Sequence, residues 1–195
     1  MTTQYGPTAN AYYAFKSMMY APSAKESIAS LVAYLQAEKP QSPLLEEALK
    51  YVADPSELEY DFNRMCIGPY KLLVAPYESV YLSGNHMVNT KETAAVADFY
   101  QQIGLTLDEK QGEPADYIGN ELEFLYCVHA LASEQKAAGN VENAAELQLI
   151  ANEFMQAHLG LWYVRFCEGM QAHATLAFWR LLATELHDFI TDQVQ

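Results

Sequence analysis

Helical periodicity runs through almost the whole chain, and this pattern constrains the fold more than any other feature. The clearest example is a set of apolar positions spaced by three or four residues: Ile28, Leu31, Val32 and Leu35. That spacing places the side chains on one face of an amphipathic helix. The sequence contains no paired strand pattern and no Asn-Gly hairpin signal. It therefore predicts an all-α fold.

Start and stop signals divide this pattern into a series of helices. We expect helices at about residues 9–19, from 25, 43–52, 56–67, 92–104, from 114 to 139, 141–159 and 176–190. Residues 68–90 interrupt the pattern, but their tyrosines and aliphatic side chains are too apolar to remain in water. We therefore expect an ordered connection there, within a single helical bundle-like domain of residues 1–195.

The sequence is strongly acidic, with 25 Asp and Glu residues against 11 Lys and Arg and a net charge of −14. Nucleic acids and anionic membranes are bound by clusters of basic side chains. This chain has only three arginines, Arg64, Arg165 and Arg180. We therefore expect no nucleic-acid partner, and we expect any charged partner to be basic. Most of the acidic excess follows residue 97, and it is densest between Asp98 and Glu123.

Signals for export and for membrane insertion are missing from the sequence. Residues 1–10 lack the basic and apolar segments of a signal peptide, and no apolar run approaches ~20 residues. The three cysteines form no C-x-x-C pair and stand among apolar neighbours, where a thiol acts as a small core side chain. We expect a cytoplasmic protein without stable membrane insertion, disulfides, metal or cofactor.

Sequence signatures of catalysis are missing as well. A di-iron bundle needs Glu-x-x-His pairs on two helices, and no such pair occurs. The glycine motifs that bind phosphates or dinucleotides and the Gly-x-Ser-x-Gly nucleophile motif are also absent. His158 continues the apolar stripe of its helix, which predicts a core histidine that donates a hydrogen bond to a backbone carbonyl. We therefore expect a binding protein rather than an enzyme.

The acidic stretch allows two interpretations. Glu113 and Asp116 stand where carboxylates cap the first turn of a helix, which is a structural role. Asp116, Asn120 and Glu123 are also spaced so that they form a row on one continuous helix. Such a row could accept a peptide's arginines through charge-assisted hydrogen bonds, although a solvated helix face has the same pattern. Spacing alone leaves both interpretations open.

Three segments match the motifs of a known family, in the same order. Residues 62–69 read FNRMCIGP and lead into PYESVY at 76–81. Residues 114–124 read PADYIGNELEF, and HLGLW at 158–162 precedes FWR at 178–180. Together they resemble the TorD/DmsD family of redox-enzyme maturation chaperones. The family motifs are aromatic-x-x-Leu-Phe-x-Gly-Pro with Pro-x-Glu-Ser-Val-Tyr, then Pro-Asp-His before Glu-Leu-Glu-Phe, then His-Leu-x-x-Trp.

The resemblance implies a cytosolic all-helical chaperone that binds the twin-arginine signal peptide of a molybdopterin-containing reductase precursor. Such binding would delay export until the cofactor is inserted. The family motifs place the peptide-binding residues at these matching positions: Phe62, Met65, Gly68, Pro69, Pro76, Tyr77, Glu78, Tyr81, Pro114, Asp116, Tyr117, Glu121 and Glu123. In this interpretation the acids receive the paired arginines, and the face of Phe62 and Met65 offers a groove for the apolar part of the signal.

The chain departs from the family motifs in its binding segments. Tyr117 replaces the family's His, Cys66 stands in the place of Phe, and Ala115 is inserted before Asp116. Tyrosine donates a hydrogen bond but does not become cationic near neutral pH, and Cys is smaller than Phe. These changes predict a reshaped groove, so the client need not be the dimethyl sulfoxide or trimethylamine oxide reductase usual for the family.

Two other functional hypotheses stay open. The chain could be an assembly chaperone similar to the nitrate reductase delta subunit, which holds the mature part of a respiratory reductase. It could instead be a small helical enzyme or a nucleotide-binding protein. The sequence also allows either a monomer or a dimer that exchanges helices through residues 68–90.

Overall fold

The computed structural model describes residues 5–68, 72–83, 87–107 and 112–194. Within these ranges the chain is helical, and its one β-type contact is an isolated antiparallel bridge between Tyr77 and Tyr117. The elements are α1 (Pro7–Tyr20), α2 (Lys25–Glu38), α3 (Pro43–Leu49), α4 (Ser56–Cys66), α5 (Glu78–Leu82), α6 (Lys91–Gln102), α7 (Ile118–Ala137), α8 (Val141–Ala157), a short 3₁₀ helix (Leu159–Leu161), α9 (Tyr163–His173) and α10 (Ala177–Val194). The prediction of an all-α fold is confirmed.

The described residues form two compact units. The first unit takes its described residues from 1–13 and 77–162, with Val194, and so contains α5 to α8. The second takes its described residues from 14–76 and 163–193, and so contains α2 to α4, α9 and most of α10. One boundary between the units falls inside the continuous helix α1. The prediction of a single domain stays a prediction.

Aromatic side chains from α6, α7 and α8 form the core of the first unit. The ring centroids of Phe124 and Phe154 lie 4.5 Å apart, and that of Tyr100 lies 5.1 Å from Phe124. All three side chains are buried. Aromatic pairs at such distances stabilise a fold by roughly 0.5–1.5 kcal/mol, in addition to the stabilisation that comes from burying their surface. This aromatic contact holds α7 and α8 side by side.

The turn between α7 and α8 ends α7 where the sequence predicts. Gly139 has a φ of 82°, in the left-handed region that glycine adopts without steric cost. Its amide donates to the Lys136 carbonyl oxygen at 3.1 Å, and the Asn140 amide donates to the Gln135 carbonyl oxygen at 2.9 Å. These bonds satisfy carbonyl groups at the end of α7 and start the chain toward α8.

Trp179 of α10 lies at the centre of the core of the second unit. Its indole N–H donates to the Leu58 carbonyl oxygen at 3.0 Å, and its ring centroid lies 5.1 Å from that of Phe62 and 5.2 Å from that of Phe178. All four residues are buried, as is Met65. The face of α4 that carries Phe62 and Met65 therefore packs in the core of the second unit.

Asp61 connects α4 with the turn before α10 in the second unit. Its carboxylate accepts hydrogen bonds from the amides of Thr175 and Leu176 at 3.0 and 2.8 Å and from the Arg64 guanidinium at 2.8 Å. Burial opposes ionisation of Asp61, but these bonds and the Arg64 charge outweigh it and hold the pKa of Asp61 below its ordinary value. The turn is therefore fixed by a buried carboxylate.

Several helix boundaries differ from the sequence prediction. Helix α7 begins at Ile118 rather than near Pro114, because residues 114–117 form a turn that the Tyr117 amide closes on the Pro114 carbonyl at 3.1 Å. The third helix ends at Leu49 instead of near residue 52. The sequence predicts no helix in the aromatic segment after residue 160, whereas the structure forms the 3₁₀ turn and α9 there.

Within the predicted ordered connection at residues 68–90, the described residues include helix α5. Residues 69–71 and 84–86 lie outside the described residues. None of the three cysteines, all of which are described, forms a disulfide; Cys66 and Cys167 are buried as predicted, while Cys127 is half-buried. Burial raises the pKa of the Cys167 thiol to about 12, which keeps it protonated.

Candidate functional site

Four ionisable side chains meet inside the first unit: Glu78, Asp116, Glu121 and His158. They come from the start of α5, the turn before α7, the first turn of α7 and the end of α8. Each is at most 5% exposed. Ionisable side chains are rarely buried unless they are paired or hydrogen-bonded. The three carboxyl groups are positions of the predicted peptide-binding site, and the structure brings them together as one buried cluster.

Asp116 caps α5 rather than α7. Its Oδ2 atom accepts a hydrogen bond from the Ser79 amide at 2.9 Å, and its backbone carbonyl accepts one from the Glu78 amide at 3.0 Å. The predicted capping role is right, but the predicted helix is wrong. Because α7 begins after Asp116, this residue does not continue the helical face of Asn120 and Glu123. The row predicted for those three residues is therefore not formed.

His158 pairs with Glu78. Its Nδ1 atom lies 3.1 Å from Oε1 and 3.2 Å from Oε2 of Glu78. An ionised carboxylate only accepts hydrogen bonds, so beside ionised Glu78 the Nδ1 atom carries the hydrogen and donates it. The prediction of a buried histidine is confirmed, whereas the predicted backbone-carbonyl acceptor is wrong. The acceptor is a side chain 80 positions away in the sequence.

Glu121 is held between Trp162 and Glu78. Its Oε2 atom accepts a hydrogen bond from the Trp162 indole N–H at 3.1 Å, and the carboxyl group of Glu78 is its neighbour in the cluster. Burial and the neighbouring Glu78 charge raise the pKa of Glu121 well above its ordinary value. Burial also raises the pKa of Glu78, against the stabilising contact with His158. The cluster therefore favours the protonated form of Glu121.

Three buried polar atoms of this region have no hydrogen-bond partner among the described residues: Ser79 Oγ, Asp116 Oδ1 and Glu121 Oε1. A buried polar atom left unpaired costs about 1–3 kcal/mol. Most buried polar atoms in proteins are paired, so three in one place indicate a functional or titratable centre. The cluster keeps hydrogen-bonding capacity that its own neighbours do not use.

Tyrosines and a glutamate lie beside the cluster. The Tyr77 hydroxyl donates to Glu113 Oε2 at 3.0 Å, and the Tyr77 ring centroid lies 5.8 Å from that of Tyr117. The backbones of the two tyrosines form the isolated β-bridge. Tyr81 of α5 stacks on Trp162 with 5.3 Å between ring centroids. The aromatic residues thus connect α5 to the turn before α7.

Two half-exposed acids belong to this region. Glu113 precedes the turn, and the Asn120 side-chain amide donates to the Pro114 carbonyl at 2.6 Å, which fixes that turn on α7. Glu123 lies one helical turn beyond Asn120, where the Cys127 thiol approaches its Oε1 at 3.6 Å. We call Tyr77, Glu113 and Glu123 the acidic rim. Unlike Asp116 and Glu121, these side chains reach solvent.

The remaining predicted site residues fall in the second unit. Phe62 and Met65 are buried in its core, and Pro76 is also buried. Gly68 follows α4 with a φ of 49°, and its amide donates to the Asn63 carbonyl oxygen at 2.6 Å. A positive φ of this kind explains a glycine at that position. Pro69 lies outside the described residues.

The sequence interpretation missed three contributors to this region. The sequence interpretation treats Trp162 and His158 only as family motif residues or core positions, and Glu113 only as a helix cap. Their roles depend on contacts with Glu121, Glu78 and Tyr77. Of these three residues, only Trp162 could have been recognised from its residue type, because the N–H group of a buried indole needs a hydrogen-bond acceptor.

In residues 5–68, 72–83, 87–107 and 112–194, no three His, Cys, Asp or Glu side chains are arranged to hold a metal ion. None of the helices in those ranges has the length and apolar character needed to cross a membrane.

Comparison with known proteins gives a family match and several relatives. The family model described as "Nitrate reductase delta subunit" matches residues 20–168. The chaperone protein TorD of Vibrio parahaemolyticus is 28% identical over 155 residues, which cover 77% of this chain and 71% of that protein. TorD of Aliivibrio salmonicida is 28% identical over 136 residues, 69% of this chain and 61% of that protein.

A second kind of chaperone matches at similar identity. The Tat proofreading chaperone DmsD of Salmonella typhimurium is 27% identical over 170 residues, covering 84% of this chain and 76% of that protein. The solved structure of a redox enzyme maturation protein from Archaeoglobus fulgidus aligns over 100% of both chains, with a TM-score of 0.64 and 16% identity. At that identity the structural likeness shows a shared fold.

Proposed function

Because the chain belongs to the nitrate reductase delta subunit family, which includes the TorD and DmsD redox-enzyme maturation chaperones, we propose that it is a cytosolic chaperone for a molybdopterin-containing reductase precursor. It binds the precursor's twin-arginine signal peptide and holds the precursor from export until the cofactor is inserted. The observation that carries the proposal is the family match over residues 20–168, which contain the buried cluster and the acidic rim. Its relatives are chaperones, which implies a protein that binds rather than catalyses.

The acidic rim is the part of the first unit best suited to receive arginines. Glu113 and Glu123 are half-exposed, so a guanidinium can reach them without unfolding the protein. An arginine forms bidentate, charge-assisted hydrogen bonds with a carboxylate, and such bonds contribute about 1.5–3 kcal/mol each. Tyr77 already donates to one oxygen of Glu113, which orients the carboxylate and leaves its other oxygen as an acceptor. We assign the paired arginines of the peptide to these two acids.

The buried residues of the predicted site have a positioning role in this proposal. Asp116 holds the start of α5, Glu78 pairs with His158 at the end of α8, and Glu121 accepts a hydrogen bond from Trp162. Pro114 and Tyr117 set the turn that carries Glu113. Replacing these residues would therefore change peptide affinity through the shape of the rim.

The assignment of Phe62 and Met65 to the apolar part of the signal stays a proposal. Neither side chain offers surface in this conformation, since both are at most 3% exposed. Phe62 packs against Trp179 in the core of the second unit, so an apolar peptide could touch these side chains only by opening that core. The same holds for Pro76, while Gly68 would act through the turn it allows after α4.

The signal-peptide proposal predicts that an arginine pair decides affinity. In a calorimetric titration with a twin-arginine leader peptide, we expect saturable binding that weakens as salt is raised, because partly exposed charges are screened. Replacing both arginines by glutamine should weaken binding roughly 10- to 100-fold, the equivalent of one or two charge-assisted hydrogen bonds. Equal dissociation constants for the two peptides would contradict the proposal.

The family description favours a second candidate, an assembly chaperone that binds the mature part of a respiratory reductase. A precursor that lacks its leader separates the two. The signal-peptide proposal expects capture of the full precursor and loss of capture when the leader is removed. Equal capture of both forms would favour the assembly chaperone.

A further inference from the structure

A cavity of about 220 Å³ lies in the first unit, between the start of α1 and the helices α7 and α8. Its polar lining includes Thr8 of α1 and His129, Ser133 and Lys136 of α7. The three α7 positions are four and three residues apart, so they share one face of that helix. Between Glu123 of the acidic rim and Lys136, α7 rises about 20 Å. The cavity is therefore separate from the rim.

The lining of the cavity has the charge that an anion needs, in a chain whose net charge is −14. Lys136 is exposed and forms no ion pair with the described residues. None of the described residues that line the cavity is Asp or Glu. The neighbouring acid Glu134 accepts a hydrogen bond from the Tyr5 hydroxyl at 2.7 Å and does not line the cavity. An ammonium group without an acidic partner attracts an anion.

His129 adds a neutral imidazole to the lining. Its ring stacks on that of Tyr12, with 5.4 Å between the ring centroids and 17° between the ring planes. Burial lowers the pKa of His129 to about 4, so near neutral pH the ring is uncharged and carries one N–H donor. In the part of the chain that the structure describes, the ring nitrogens of His129 and the Thr8 hydroxyl have no hydrogen-bond partner. Both side chains can therefore donate to a ligand in the cavity.

Ser133 supplies an acceptor to the same cavity. Its hydroxyl donates to the His129 backbone carbonyl at 2.9 Å, so the hydrogen of Ser133 is already used. The free lone pairs of Ser133 Oγ can accept a hydrogen bond only from a ligand that carries a hydrogen of its own. Hydrogen phosphate carries such a hydrogen, whereas sulfate does not. A buried acceptor that one anion satisfies and another leaves unpaired discriminates between them.

We propose that this cavity binds a hydrogen phosphate ion. Lys136 balances the charge of the ion, His129 and Thr8 donate hydrogen bonds to its oxygens, and Ser133 Oγ accepts its hydrogen. Because these groups come from α1 and α7, the bound ion connects the start of α1 with α7 inside the first unit. The site is independent of the signal peptide and of the acidic rim.

Three anions of equal charge test the wild-type protein. Inorganic phosphate, sulfate and methyl phosphate are titrated at about pH 8 and constant ionic strength, and the imidazole NMR signals of His129 report occupation of the cavity. At this pH all three are dianions, and only inorganic phosphate carries a hydrogen. We expect saturable shifts with phosphate and roughly 10-fold weaker binding of the other two, the equivalent of one unpaired acceptor. Equal affinities for the three anions, or no shift of His129 with phosphate, would overturn the proposal.

Two variants test the assigned roles. Lys136→Gln removes the charge and should weaken phosphate binding roughly 10-fold or more, whereas Lys39→Gln, at an exposed lysine that follows α2 in the second unit, should bind like wild type. Ser133→Ala removes the acceptor and should bind phosphate no more tightly than sulfate. A Lys136→Gln protein that binds phosphate as tightly as Lys39→Gln would contradict the proposal, and so would a Ser133→Ala protein that keeps the wild-type preference for phosphate.

Discussion

Trp162→Ala should destabilise the protein by about 3–5 kcal/mol, which is the range for removing a large buried aromatic side chain. Trp162 is fully buried, stacks on Tyr81 and donates its indole N–H to Glu121. The substitution leaves a cavity and removes the donor that holds Glu121 Oε2. For a chain of 195 residues, such a loss lowers the melting temperature by roughly 10 °C. Circular dichroism of the helical signal during heating measures it.

Two variants separate the causes of this loss. Trp162→Phe keeps a ring against Tyr81 but removes the N–H group, so it should cost about 1–3 kcal/mol, the range for a buried acceptor left unpaired. Leu161→Ala changes the neighbouring residue, which is 53% exposed, and should change stability by less than about 0.5 kcal/mol. A Trp162→Ala protein that melts like Leu161→Ala would show that Trp162 does not hold the cluster.

Glu78→Ala should be the most harmful change within the cluster itself, with a cost of about 3–5 kcal/mol. Removing the carboxyl group leaves the Nδ1–H of His158 without its acceptor in a buried space. Glu78→Gln keeps an oxygen that accepts from His158, so it should cost clearly less than Glu78→Ala. Denaturant titration at neutral pH measures both changes.

A double-mutant cycle with His158→Ala tests whether this cost comes from the pair. If Glu78 and His158 stabilise each other, the double variant should be less destabilised than the sum of the single variants by about 0.5–3 kcal/mol. Additive costs would mean that the two side chains contribute independently, and the 3.1 Å contact between them would then carry little energy.

Local signals were enough to predict most of the fold. The apolar stripe of α2 from Ile28 to Leu35 is buried, and Gly139 ends α7 in the left-handed conformation. The start of α7 could not be predicted, because it depends on partners distant in sequence. The turn before α7 is fixed by the bridge between Tyr77 and Tyr117, which are 40 residues apart. The spacing of apolar residues does not predict such a distant pairing.

The residues of the candidate site could be predicted from the sequence, but which of them are buried could not. The family motifs named Glu78, Asp116 and Glu121, and the structure brings these three together. A sequence does not reveal which acids are buried, because burial is decided by distant partners. Asp116 is enclosed because it caps Ser79, 37 positions earlier. For the same reason the half-exposed Glu113 could not be distinguished from an ordinary helix cap.

Titrating two leader peptides against a variant of the acidic rim tests directly whether Glu113 and Glu123 receive the arginines. Wild type and the Glu113→Gln/Glu123→Gln variant are each titrated with the arginine-pair peptide and with its glutamine counterpart. The matched control is Glu146→Gln/Glu153→Gln, which removes two exposed acids of α8. Wild type and the control should bind the glutamine peptide roughly 10- to 100-fold more weakly than the arginine peptide. The rim variant should bind the two peptides with nearly equal affinity. A rim variant that still loses as much affinity as wild type would show that these acids do not receive the arginines.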